Sequence, residues 1–127
     1  MAILGVGIDL VRIERLAQFL ERHGERGKAR LFTAGEQAYC EARKTSAQSY
    51  AGRFAVKEAV MKVLGTGWSR GVRWVDIEVV RPRGAAPTVA LHGETARIAA
   101  ARGIATIHVA ITHDAGISAA VAVAESA

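Results

Sequence analysis

The spacing of apolar residues changes once along this chain, and that change limits the possible folds more than any other feature. From Val11 onward the apolar positions recur at helical intervals. Ile13, Leu16 and Leu20, with Ala17, make one face that ends near His23-Gly24. Thr33-Ala34-Gly35-Glu36 has the spacing of a capping box, which predicts a second helix from Thr33 to about Arg43. A third helix reads from about Ala47 to Leu64, stopped by Gly65-Thr66-Gly67. Beyond that point the period becomes two. Val75, Ile77 and Val79 alternate with Asp76, Glu78 and Val80; Val89 and Leu91 follow Pro87; Ile107, Val109 and Ile111 alternate with His108, Ala110 and Thr112. Ile117 to Ala124 is a further strand, joined to its predecessor by a hairpin at His113–Gly116, and Gly93 to Arg102 is an Ala-rich helix closed by Gly103. Ahead of all the helices, Ile3 to Ile8 reads as a short buried strand broken by Gly5 and Gly7, and Asp9 stands where strand gives way to helix. The expectation is an α+β domain with helices packed on a mainly antiparallel sheet.

Composition narrows the class. With 127 residues, 50% of them hydrophobic, and no repeat, low-complexity tract or linker, residues 1–127 form one domain with one core. The single cysteine, Cys40, excludes an intramolecular disulfide and a multi-cysteine metal site. No apolar run reaches the ~18–20 residues that span a bilayer. The apolar N-terminus has no basic leader and runs straight into Asp9, unlike a signal or transit peptide. A reduced, cytoplasmic protein without a membrane segment is expected. The net charge of +5 leaves nucleic acid, a membrane surface, a phosphate ligand and an acidic protein partner open. Its distribution is uneven: residues 1–62 hold eleven basic and seven acidic side chains, against six and five in residues 63–127.

Three groups of residues have the makings of a site. Asp9, in Gly5-Val6-Gly7-Ile8-Asp9, is either the cap of a helix starting at Val11 or a metal ligand projecting from a strand end. The glycines do not match a dinucleotide fingerprint, because the third is missing and the acid follows at once. The second group lies on the third helix. Phe54, Glu58 and Lys62 share one stripe, Arg53 and Lys57 the next, and both run toward a glycine-flanked helix end. The plain alternative is a solvated face with a Glu58–Lys62 pair worth about 0.3–0.5 kcal/mol. Three cations around one carboxylate on a packed helix fit a polyphosphate better, with Glu58 and Asp9 sharing a Mg²⁺ that keeps waters and phosphate oxygens as further ligands. Third, Arg15, Phe19, Arg22 and Arg26 make a basic stripe on the first helix, with Phe19 as an apolar anchor. It is a solvated face or a dock for an acidic amphipathic helix.

The four histidines, His23, His92, His108 and His113, have no zinc spacing; only His113, at a strand end beside Asp114, is placed like a ligand-binding residue, and turn capping is its alternative. A nucleophile elbow and a phosphate-binding Gly-Lys-Ser/Thr loop are both absent, and Cys40 has no placed base, so hydrolase and P-loop classes lose support.

Gly5-Val6-Gly7-Ile8-Asp9-Leu10-Val11, followed by Phe54-Ala55-Val56-Lys57-Glu58-Ala59-Val60-Met61-Lys62 and Gly65-Thr66-Gly67, resembles the holo-acyl-carrier-protein synthases, the small trimeric group of 4′-phosphopantetheinyl transferases. Phe32-Thr33 with Glu36, Ala51-Gly52-Arg53-Phe54, Asp76-Ile77-Glu78 and His108 to His113 fall in similar segments, so the likeness covers nearly the whole chain. It implies the 4′-phosphopantetheinyl transferase fold and transfer of phosphopantetheine from coenzyme A to a serine of apo-acyl carrier protein in fatty acid biosynthesis, releasing adenosine 3′,5′-bisphosphate. By motif position it puts Asp9 and Glu58 on Mg²⁺ and Lys62 at the reacting phosphate, with Arg53, Lys57, Gly65 and His113 around the nucleotide. The first-helix face (Arg15, Phe19 and Arg22, with Arg26 in the same stripe) corresponds to the carrier dock. It also implies a homotrimer with the cleft between subunits. Gly84-Ala85-Ala86-Pro87 departs from the family's Gly-Lys-Pro or Gly-Arg-Pro, and Ala59 stands where the larger transferases commonly have Ser.

The competing classes are a small basic module that grips nucleic acid and a Mg²⁺-dependent hydrolase of nucleoside diphosphate derivatives. The first leaves Asp9 and Glu58 unexplained and has few interleaved aromatics. The second shares the ligands and is told apart by hydrolysis without a carrier protein. In the transfer reaction a serine hydroxyl attacks the β-phosphorus of the coenzyme A pyrophosphate, Lys62 neutralises the leaving phosphate, and Glu58 is the candidate base.

Overall fold

The computed structural model describes residues 1–127. In chain order the elements are β1 (Ile3–Arg12), α1 (Ile13–Leu31), α2 (Ala34–Glu41), α3 (Ser46–Leu64), a 3₁₀ turn at Trp74–Asp76, β2 (Ile77–Val80), β3 (Thr88–Leu91), α4 (Gly93–Ala101), β4 (Ile104–Asp114) and β5 (Ile117–Ser126). The main sheet has the order β1-β5-β4, antiparallel throughout, and β2 and β3 pair as a separate antiparallel ribbon. The expected α+β architecture is the one that forms.

The sheet is shaped to receive a helix. Its central strand turns Ala120, Ala122 and Ala124 to one face, all buried. Across the ladders their partners are Asp9, Gly7 and Gly5 on β1, and Ile111, Val109 and Ile107 on β4. Small side chains in the middle let α3 lie close, and Gly7 marks the closest approach. A Cβ at Gly7 would stand 2.1 Å from the Ala59 carbonyl oxygen, so any side chain there displaces the helix. With the sheet on one side and α1, α2 and β2 around the rest, α3 is buried nearly all round, through Val56, Ala59, Val60 and Val63 among others. Its apolar sequence on every face is the cause. Gly65, left-handed at φ 72°, caps its end.

Four details differ from the sequence reading. Pairing with β5 continues as far as Arg12, opposite Ile117, so β1 runs four residues beyond Ile8. Asp9 is therefore a strand residue and not a helix cap; Arg12 precedes α1 and no side chain caps it. Nor is β1 a buried strand, because Val6, Ile8 and Leu10 lie on its outer face and are more than 60% exposed. The first helix breaks at Gly24 (φ 57°, ψ −143°), close to where it was expected to stop, yet a further helical stretch follows to Leu31, which is buried against Phe32 and Tyr50. Finally, β2 starts at Ile77, since Trp74–Asp76 forms the 3₁₀ turn. The predicted capping box is present: Thr33 accepts from the Glu36 backbone and Glu36 accepts from that of Thr33. The last hairpin turns on Ala115 (φ 50°) and Gly116 (φ 77°), the two positive values of a type I′ turn.

Candidate active site

The close packing at Gly7 brings the inward carboxylate of β1 to α3. Lys62 Nζ donates to Asp9 Oδ1 at 3.1 Å and to the Ile8 carbonyl at 2.8 Å, so its partner is Asp9, not Glu58 one turn before it. Glu58 is half-buried beside them. Burial, and then the nearby Asp9 carboxylate, raise its carboxyl above the ordinary glutamate range, with Lys62 opposing. Two carboxylates held close enough to raise one pKa are a natural seat for a cation. The chain contains no cluster of three or more acidic, His or Cys ligands. Two carboxylate donors suit a hard divalent ion such as Mg²⁺, which would take its other ligands from waters and phosphate oxygens.

A groove of about 1420 Å³ opens beside this pair. Asp9, Glu58, Phe54 and Trp74 line it together with Arg15, Phe19, Arg22 and Arg26 of α1. The Phe54 and Trp74 rings stack at 5.0 Å, and Phe19 packs on His23 at 4.4 Å. The basic stripe and the acidic pair, separate in the sequence, line one groove. Arg12 and Arg30 line it too. Sequence reasoning missed both, although Arg30 lies four residues beyond Arg26.

The other sequence-selected residues lie elsewhere. Arg53 is only 4% exposed; its guanidinium stacks on Tyr39 and its Nε has no hydrogen-bond partner. His113 Nδ1 is 2.6 Å from Ser118 Oγ, and its ring packs over Gly52, where a Cβ would come within 3.1 Å of Cε1. Burial, then Arg81, lower its pKa and favour the neutral ring. Neither Arg53 nor His113 lines the groove. Lys57 departs from its expected phosphate contact. It is wholly buried, and its Nζ donates to Glu36 Oε1 at 2.8 Å, to the Trp74 carbonyl at 2.9 Å and to the Ile77 carbonyl. All three donors are used inside the protein. Glu36 is satisfied in turn by the Thr33 and Val79 amides. Burial pulls the Lys57 ammonium below the ordinary lysine range while Glu36 pulls it back. The sequence marked Glu36 only as a helix cap.

The 4′-phosphopantetheinyl transferase superfamily model matches residues 5–122, from the β1 glycines to the last core alanines of β5. The chain belongs to this superfamily. Among similar members, the holo-[acyl-carrier-protein] synthase of Solibacter usitatus is 44% identical over 124 residues, covering 98% of this chain and 99% of that one. That of Desulforudis audaxviator is 46% identical over 122 residues, 96% and 92% of the two chains. The crystal structure of the Helicobacter pylori holo-[acyl-carrier-protein] synthase in complex with coenzyme A superposes with a TM-score of 0.82 at 31% identity, covering 94% of this chain and 99% of that one. Transferase membership leaves the nucleic-acid reading without support.

Proposed function

We propose that this transferase moves the 4′-phosphopantetheine group from coenzyme A to a serine of apo-acyl carrier protein, giving holo-acyl carrier protein and adenosine 3′,5′-bisphosphate. The observation that carries this reading is the single groove lined by both the Asp9–Glu58 pair and the basic face of α1. The acidic pair suits a metal-bound pyrophosphate, the basic face an acidic helix, and the reaction has both substrates. Membership of the superfamily and the coenzyme A bound to the Helicobacter pylori relative point the same way.

Asp9 and Glu58 are assigned to Mg²⁺, which, when bound, neutralises charge on the pyrophosphate. Lys62 is held at the Ile8 carbonyl with its ammonium half exposed, placed to offset charge on the leaving phosphate. The serine oxygen forms a bond to the β-phosphorus as the bond from that phosphorus to the bridging oxygen breaks, and the serine proton needs an acceptor. Glu58, directly or through a water, is the candidate for that role. Arg53, His113 and Gly65 are assigned to the nucleotide and its phosphates; Lys57 anchors α3, the helix that carries Arg53. Arg15, Phe19, Arg22 and Arg26 are assigned to the carrier.

The oligomer belongs to the same reading. Leu4, Val6, Ile8 and Leu10 stand exposed on the outer face of the sheet beside the half-buried Ala119, Val121 and Val123. Such an apolar face needs cover. A homotrimer supplies it and lets Arg53 and His113 of one chain meet the groove of the next. Fatty acid biosynthesis in the cytoplasm is the setting assigned. Glu58→Gln tests the site: transfer to apo carrier protein should fall by about 10²–10⁴-fold with circular dichroism unchanged, and near wild-type turnover would overturn the assignment.

A further inference from the structure

Tyr39 of α2 meets two guanidinium groups. Arg53 Cζ is 3.8 Å from the ring centroid and Arg43 Cζ is 4.1 Å from it. Both guanidiniums therefore lie in cation–π contact with the one ring. Arg43 is exposed, whereas Arg53 is 4% exposed, and its Nε is buried without a partner. No carboxylate of the chain forms an ion pair with Arg53. A buried cation ordinarily acquires a counter-charge, because desolvation is costly. Lys57, one turn further along α3, does so through Glu36. Arg53 has an aromatic face instead, and the two solutions have different consequences. A carboxylate consumes N–H donors and cancels the charge. A ring face offsets part of the desolvation cost through its quadrupole, fixes the guanidinium plane, and leaves every N–H free for an incoming anion.

We propose that Tyr39 is a positioning residue for coenzyme A, which holds the Arg53 guanidinium flat and unneutralised so that its edge meets a phosphate. This rests on the assignment of Arg53 to a coenzyme A phosphate. Arg43, in contact with the same ring, keeps the ring from turning away and adds positive potential beside Arg53. The hydroxyl of Tyr39 takes no part, so the ring alone does the positioning.

The test measures coenzyme A affinity by calorimetry, and kcat and KM in the transfer assay, for Arg53→Ala, Tyr39→Phe, Tyr39→Leu and the double variant Tyr39→Leu/Arg53→Ala. Tyr39→Leu should weaken coenzyme A binding about tenfold, with kcat and the KM for carrier protein within about twofold of wild type. Tyr39→Phe should stay within about twofold throughout. Adding Tyr39→Leu to Arg53→Ala should weaken binding no further, an outcome that a purely structural role does not give. If the leucine variant does not fold, Tyr39→Met is read in its place. Unchanged affinity in Arg53→Ala overturns the assignment of Arg53, and this role of Tyr39 with it. Unchanged affinity in Tyr39→Leu beside a weakened Arg53→Ala overturns the role of Tyr39 alone, as does additivity in the double variant.

Discussion

Lys57 and Lys62 are five residues apart on one helix and have opposite fates. Lys62 reaches out of the packed surface to the Ile8 carbonyl and the Asp9 carboxylate, while Lys57 is sealed inside with Glu36. The helix is apolar on nearly every side, so spacing alone told which residues share a stripe but not which stripe faces the interior. The answer lies in a contact 21 residues away, where Glu36 caps α2 and also accepts from Lys57. Removing one partner of such a pair strands the other. Lys57→Met should destabilise the protein by about 3–5 kcal/mol in urea unfolding, and adding Glu36→Leu should recover only part of that loss, because the Thr33 and Val79 amides then lose their acceptor. A loss below about 1 kcal/mol in the single variant would mean that the pair contributes little. Asp9 shows the same limit in reverse. As a residue between an apolar run and a helix it read equally as cap or ligand, and only the length of its pairing with β5 makes it a strand residue aimed at Glu58 and Lys62.

Among the elements, those specified by local chemistry were the legible ones. The Thr33–Glu36 box, the Gly65 stop and the Ala115-Gly116 turn act through neighbours in the sequence, and all stand where their residues predict. The boundary between β1 and α1 is decided instead by a strand more than a hundred residues later. In α1 the break at Gly24 was readable and the helix beyond it was not, because that stretch is held by burying Leu31 against Phe32 and Tyr50. The break still leaves Arg15, Phe19, Arg22 and Arg26 along one groove. Reversing Arg15 and Arg22 to Glu should raise the KM for carrier protein at least tenfold, mostly through slower association, and leave coenzyme A affinity unchanged in calorimetry. A matching loss of both affinities would contradict a separate docking face. Raising salt should reproduce part of the effect in the wild type and little of it in the variant.

At the scale of the whole molecule, the chain buries one face of its sheet under α3 and leaves Val6, Ile8 and Leu10 uncovered on the other. That face was hidden in the sequence, where the same apolar run reads as an ordinary buried strand. The period says that alternate residues differ, not that both sides want cover. Sedimentation equilibrium should give three times the 13.5 kDa chain mass, and Ile8→Asp should yield smaller species with little transferase activity. A wild-type monomer at micromolar concentration would remove the trimer from the account. The charge of the molecule also takes on meaning at this scale, since five arginines of its basic half, Arg12, Arg15, Arg22, Arg26 and Arg30, line one groove. The most direct measurement of the central claim is intact-mass spectrometry of apo-acyl carrier protein incubated with this protein, coenzyme A and Mg²⁺. The account predicts the gain of one phosphopantetheine on the carrier, with adenosine 3′,5′-bisphosphate released in equal amount. An unmodified carrier, or coenzyme A cleaved without any transfer to it, would contradict the account.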